Sequence, residues 1–393
     1  MLKVVIGHSD DPSSEGAIED VLDQCRQTLG EIEPKAGILL NAIDFDHAVI
    51  LKEIDQAFPG LDLIGCTTDG EMSSVLGFQQ DSLILMLFCS DDVGIEVGIG
   101  YEASKDPIAA AHQAVEKANP NQDVPKLCIL LPASYITDGT TTNGELILQG
   151  LKQALGEKVP IIGGTAGDQY RFKNTYQFFG TEILNDTLPI LVFYGDILFS
   201  YGTGCGWEPL GSAGVITKSE GTTLYEIDGK PALEFYQHYL GNRPPTAENP
   251  LAVYERDSDR TDLPERYYMR VPNLCDRTNG SIKFLGNVPE QSMIKMTNIN
   301  RDEIIAASKT SFQTALENYP GTEPEIVLIF SCCCRRWLLG TRAKQEYQLV
   351  RETVSPNIPI AGFYTYGEFA PLESGGETYY HQETFVTLLL GTK

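Results

Sequence analysis

Basic residues, histidine and tryptophan are the scarce components of this 393-residue chain. Lysine and arginine number 29 against 54 aspartates and glutamates, a net charge of −25 that repels the phosphates of nucleic acids and of anionic lipid heads. Neither is a partner for the general surface. No apolar run approaches the roughly 18 residues of a membrane span. The opening MLKVVIGHSDDPSSEG has one lysine and too short an apolar stretch for a signal peptide, which predicts a cytoplasmic protein without membrane insertion.

Enzyme signatures are missing as well. There is no GxxxxGK[ST], HExxH, GxGxxG or zinc-spaced CxxC pair. Gly163-Gly164-Thr165-Ala166-Gly167 spells a hydrolase elbow with threonine as nucleophile, but an elbow needs a helix straight after it, and Asp168–Phe172 alternates like a strand. The five histidines (8, 47, 112, 238, 381) form no ligand cluster, so His112 reads as a helix-surface residue and His381 as structural. Nine cysteines, an odd number lying mostly in apolar strands, read as reduced thiols of a cytosolic protein. No metal is assigned from this pattern.

What the chain does have is internal similarity, on a scale that 393 residues divide into two or three domains. KAGILLN (35–41), KLCILLP (126–132) and EIVLIFS (325–331) each lead into a helical pattern and then a glycine signature: LDLIGCTTDGE (61–71), VPIIGGTAGD (159–168) and IPIAGFYTYGE (358–368). A further apolar run closes each copy at 81–90, 188–196 and 383–391. Upstream stand helix-start signals at Asp11-Pro12, Asp106-Pro107 and Asn300 with Glu303. The helices that follow carry apolar faces: Ile18, Val21, Leu22, Cys25 and Leu29; Ile108, Val115 and Ala118; Ile305, Phe312, Ala315 and Leu316.

The expected fold is therefore α/β, with three strand-helix-strand-helix-strand repeats forming mixed, largely parallel sheets covered by helices. Gly65 and Gly163 are 98 residues apart and Gly163 and Gly362 are 199 apart, which places an insertion between copies two and three, at about 197–290. Its turn chemistry predicts antiparallel hairpins, with Asp228-Gly229 as a turn and Pro231 opening a short helix. A domain boundary near 220 divides the chain into 1–220 and 221–393.

Candidate ligand groups follow from the glycine signatures, which end strands where open α/β sheets place ligands. Thr67, Asp69, Gly70 and Glu71 of the first, and Gly163, Gly164, Thr165 and Asp168 of the second, form a secondary set; a tight turn satisfied by its own threonines is the structural alternative. Copy three is richer. Cys332 and Arg335 end one strand, and Gly362, Thr365, Tyr366, Gly367 and Glu368 end the next, so thiol, guanidinium, phenol and carboxylate can converge on an amino acid's two charges. An Arg335–Glu368 ion pair is the structural alternative here. A catalytic thiolate at Cys332 or Cys334 is a further alternative, weakened by the absence of a histidine in either signature.

SDDPSSEGAIEDVLDQ, LIGCTTDGEM, YGTGCG, EIDGKPALEFY, YYMRVPN, FSCCCRRWLLG and IAGFYTYGEFAPL, in this order, resemble the FIST family, built of FIST N and FIST C portions. The resemblance implies a non-enzymatic sensory domain that binds a small ligand such as an amino acid and passes the signal to a separate protein such as a kinase or chemoreceptor. It carries a Cys…Arg signature onto Cys332 and Arg335 and a Gly-Glu signature onto Gly367 and Glu368; Arg270 sits in another resembling segment. Haem is the alternative ligand, against which the few histidines weigh. Where the family has small residues after the cysteine, this chain has Cys333 and Cys334.

Overall fold

The computed structural model describes residues 2–119, 121–254 and 266–393. The charged stretch 255–265 of the expected insertion lies outside the described residues.

Three six-stranded sheets share one strand order. The first runs Leu2–Ser9, Leu83–Ser90, Ala36–Asn41, Asp62–Thr67, and then a hairpin made by Gln177–Phe179 and Glu182–Leu184. In the second the order is Val93–Tyr101, Thr187–Gly195, Pro125–Leu130, Ile161–Gly164, and the hairpin of Glu368–Pro371 and Thr378–His381. The third has Leu198–Gly204, Phe385–Gly391, Ile326–Cys332, Ile360–Thr365, and the hairpin of Glu71–Ser73 and Gly77–Gln79. Every sheet thus ends in a hairpin borrowed from the chain segment of another, in a closed cycle.

The α/β class and mixed sheets match expectation, but the sheets are not largely parallel. Each holds a single parallel pair: Ala36–Asn41 with Asp62–Thr67, Pro125–Leu130 with Ile161–Gly164, and Ile326–Cys332 with Ile360–Thr365. The continuous Val/Ile/Leu runs have another cause. Alternate residues such as Ile38, Leu40, Ile129, Leu131, Leu328 and Phe330 meet in one core between the three sheets, while their neighbours Leu39, Leu130 and Ile329 pack beneath helices. Both faces are dry, and burial on both faces removes the polar alternation whatever the strand direction. The central core leaves a void of about 10 Å³ with apolar lining, too small for a ligand.

Two long helices cover each sheet: Ser14–Leu29 and His47–Ala57, Pro107–Ala118 and Gly144–Leu155, and Arg301–Glu317 and Lys344–Thr353. Asp106 and Asn300 cap their helices as expected, accepting from the Ala109 and Asp302 amides at 3.0 and 2.9 Å. The first helix starts later than its Asp-Pro signal, because Asp11 accepts from the Ser13 amide and Ser13 is the cap. The expected helix faces are buried except at Ile108, half-buried, and Leu316, which is exposed.

The insertion is an antiparallel sheet from Trp207 to Ile299, packed on the helix Ala232–Leu240. It begins later than the expected 197, since Leu198–Gly204 pairs with Phe385–Gly391 in the third sheet. Asp228 and Gly229 both have positive φ, 52° and 72°, and make the expected turn.

Candidate functional site

The three glycine signatures meet at one polar junction. Gly167 N–H donates to the Thr67 carbonyl at 2.8 Å, Asp69 N–H to the Tyr364 carbonyl at 3.0 Å, and Thr165 N–H to the Gly367 carbonyl at 2.9 Å. Thr67, Asp69, Gly70, Glu71, Thr165, Asp168, Thr365, Gly367 and Glu368 are therefore brought together with Tyr366, whose hydroxyl donates to Asp168 at 2.5 Å. Cys332 pairs with Thr365 across the parallel strands, at the edge of the same junction.

Gly163 and Gly362 stand inside the sheets for a packing reason. A Cβ at Gly65, Gly163 or Gly362 would strike the carbonyl oxygen of Leu39, Leu130 or Ile329, the residue paired with it on the parallel strand. Gly164 has the Thr365 side chain against it in the same way.

Two of the turns satisfy themselves. Thr68 donates to Glu71, and Thr365 to Glu368 at 2.8 Å; Ser82 and Thr384 supply second donors at 2.6 and 2.7 Å. Burial pushes Glu71 up to about 8 and Glu368 well above the carboxylate range. Burial likewise lifts Asp69 to about 7 against the pull of Arg336, and its Oδ2 has no partner. The second turn differs. Asp168 accepts the Phe172, Lys173 and Asn174 amides, and Thr165 Oγ1 is buried without a partner. Those bonds wrap 168–172 into a loop with positive φ at Gln169, Tyr170 and Phe172, not the expected strand.

Arg335 does not belong to the junction. It is fully buried, bonded to Glu346 through Nε at 2.9 Å and Nη2 at 2.7 Å, and it donates further to Ser308 and to the Ile304 and Glu383 carbonyls. Its acid is Glu346, so the alternative pair with Glu368 is also absent. The cause is the helix Cys333–Leu339, which begins directly after the strand and sends consecutive arginines to different sides. Arg336, which sequence reasoning missed, is the one that reaches the junction: it donates to the Asp69 carbonyl and its guanidinium lies 5.2 Å from the Tyr170 ring centroid.

Arg270 borders a separate open crevice of about 440 Å³. Helix Gly144–Leu155 contributes Glu145 and Lys152, strand Tyr267–Arg270 contributes Tyr268, and the borrowed hairpin contributes Tyr379 and Tyr380. The Arg270 guanidinium is spent as a brace, donating to Glu145 at 3.0 Å and to the Asn287, Met269 and Tyr380 carbonyls, with the Tyr268 ring 4.2 Å away. Tyr268 and Tyr379 stack at 5.7 Å, and Lys152 stands 6.0 Å from the Tyr379 ring. Tyr380 lines the crevice and also packs against Gly367, so one side chain separates crevice from junction. Lys152, Glu145 and the tyrosine pair escaped the sequence reading because no local pattern reveals that the hairpin of Glu368–Pro371 and Thr378–His381 docks on the sheet of Ile161–Gly164.

All nine cysteines are free. Cys332, Cys333 and Cys334 hold their sulfurs within 4.8 Å of one another. Burial raises Cys332 and Cys333, whereas hydrogen bonding from its two neighbours lowers Cys334. His381 is buried and neutral, its Nε2 2.8 Å from the Ala370 carbonyl oxygen. Among the described residues no helix is long and apolar enough to cross a membrane.

Comparison with known proteins places these features. The FIST N domain model matches residues 35–230 and the FIST C domain model matches 232–371. An uncharacterized protein of Methanocaldococcus jannaschii is 26% identical over 280 residues, covering 68% of this chain and 52% of that protein. The chain thus spans about half the length of this relative. Among solved structures, cyanuric acid hydrolase from A. caulinodans aligns over 100% of this chain and 99% of its own at 10% identity and TM-score 0.42. PurLQS from Thermotoga maritima aligns over 100% and 72% at 12% identity and TM-score 0.24.

Proposed function

Because this chain belongs to the FIST family, whose domains are sensory, small-ligand-binding modules of signal transduction, we propose that it binds an amino acid or similar small polar metabolite in the crevice beside Arg270. The observation that carries this reading is the crevice itself. Its roughly 440 Å³ suits a small metabolite, and its wall combines Lys152, Glu145 and the stacked Tyr268 and Tyr379, the mixture of charges and aromatic faces that a zwitterion needs.

The crevice joins Gly144–Leu155, inside the FIST N match, to Tyr267–Arg270, inside the FIST C match. A ligand there tightens one portion against the other. Tyr380 then carries the change to Gly367 and the junction of the three signatures, where Cys332, Thr365, Tyr366, Gly367 and Glu368 form the inner wall of the sensing unit, while Gly362 stays a packing position within its strand. In this reading the three sheets are three copies of one ancestral repeat, and the two portions divide near residue 220. The protein works as a binding module in the reducing cytoplasm, consistent with nine free cysteines, and reports to a separate signalling protein such as a kinase or chemoreceptor.

Titration calorimetry with a panel of amino acids tests this. Binding is expected in the wild type and a loss of at least tenfold in affinity in Lys152→Ala; affinity unchanged in that variant moves the site elsewhere, and a panel without binding removes the amino acid.

A further inference from the structure

Three thiols gather beside the junction, with one buried carboxyl group next to the last of them. Cys332 ends a strand and Cys333 and Cys334 open the following helix. Consecutive residues of a continuing strand would alternate sides. The change to helix instead gathers the three sulfurs within 4.8 Å of one another.

Glu383 faces this group. The Cys332 amide donates to the Thr384 carbonyl at 2.9 Å, which pins the Glu383 segment alongside; the Cys332 sulfur meets the Glu383 backbone and the Cys334 thiol faces its carboxylate. Glu383 is completely buried, and apart from the Cys334 thiol no group hydrogen-bonds its carboxyl oxygens. Such a group is costly to keep in a protein interior. The adjacent guanidinium relieves it only in part and through its charge alone, since Arg335 hydrogen-bonds the Glu383 carbonyl and pairs with Glu346.

We propose that Cys332, Cys333 and Cys334 bind a single thiophilic d10 cation, Zn(II) or Cu(I), with Glu383 as the carboxylate that completes its surroundings. Thiolate sulfur selects these soft or borderline ions. With Zn–S bonds of about 2.3 Å, tetrahedral sulfurs stand about 3.8 Å apart, so the observed cluster needs only a small contraction. Cys334 is half-buried and offers the way in. As three metal–sulfur bonds form, the three S–H protons pass to buffer, with no change in oxidation state. This site lies apart from the Arg270 crevice and does not depend on the ligand proposed there.

The test uses the full chain, reduced and under nitrogen, titrated with Zn(II) and, separately, Cu(I), with Co(II) as spectroscopic stand-in. One equivalent per chain is expected, with a thiolate-to-cobalt charge-transfer band and an X-ray absorption spectrum of the Zn form fitted by three sulfur neighbours. Tighter binding of one ion assigns it. Replacing all three cysteines by serine is expected to abolish binding. Since that variant alters buried groups and can misfold, Glu383→Gln is the milder one, expected to weaken binding about tenfold. Absence of stoichiometric binding by either ion, a shell without sulfur, or undiminished binding by the folded triple variant overturns the site; undiminished binding by Glu383→Gln removes Glu383 from it.

Discussion

Arg335 and Glu346 meet at 2.7 Å with neither side chain exposed to solvent. Burial opposes the arginine's charge and the Glu346 carboxylate more than restores it, so the pair is a single structural unit. Removing one member leaves the other charge buried without its counterion. Arg335→Ala and Glu346→Ala are each expected to lower the free energy of unfolding by about 3–5 kcal/mol in urea titrations, and Arg335→Met/Glu346→Leu by less than the two singles together. If Arg335→Ala keeps wild-type stability while losing ligand, Arg335 is the anchor its sequence position suggested.

The glycines opposite Leu39, Leu130 and Ile329 make a second prediction. A methyl group at Gly65, Gly163 or Gly362 collides with a backbone oxygen, which cannot swing away as a side chain can. Each glycine-to-alanine change is expected to cost about 1–3 kcal/mol, the usual penalty for overpacking. Gly60→Ala is the contrast, since its positive φ of 75° strains the backbone but no atom lies within reach of the added methyl. Costs near zero at Gly65 and Gly362, neither of which has a positive φ, would show that the collision is relieved without penalty.

Stability should depend on pH in a particular window. His8, His47 and His381 are pushed down to about 3, 4 and 4 by burial, so they favour the folded state increasingly as pH rises toward 6.5, the ordinary histidine value, and not beyond. Asp69 and Glu71 have the opposite sign. Their folded values, raised to about 7 and 8, favour folding below the ordinary carboxylate range, and that contribution fades as pH rises through 7 and 8. The melting temperature is therefore expected to fall between pH 6.5 and 8, and Asp69→Asn/Glu71→Gln should flatten the decline. A wild-type profile that is flat or rising across this interval contradicts the protonated state assigned to these acids.

The mixed α/β class, the cap at Asp106 and the turn at Asp228-Gly229 were legible because each is written locally, in periodicity or in one residue's conformational preference, whereas the meeting of all three glycine signatures was not. Neither was strand direction. Leu39 and Leu40 are equally buried although one faces helices and the other the central core, so the sequence carries no alternation to betray an antiparallel neighbour. The site divided along the same line. Thr365 and Glu368 are three residues apart and their bond follows from a turn, whereas Tyr379 reaches Lys152 only because Thr378–His381 docks on the sheet of Ile161–Gly164. Consecutive Arg335 and Arg336 show the smallest version of the difficulty: one belongs to the core and its neighbour to the junction, decided by where a strand turns into a helix.

A co-crystal structure with the tightest-binding amino acid tests the sensory reading most directly. Density is predicted in the crevice, with the ligand carboxylate on Lys152 and its body against Tyr268 and Tyr379. Density at the junction beside Cys332 and Glu368 with the crevice empty, or anywhere that Lys152 and Tyr379 do not touch, would contradict it.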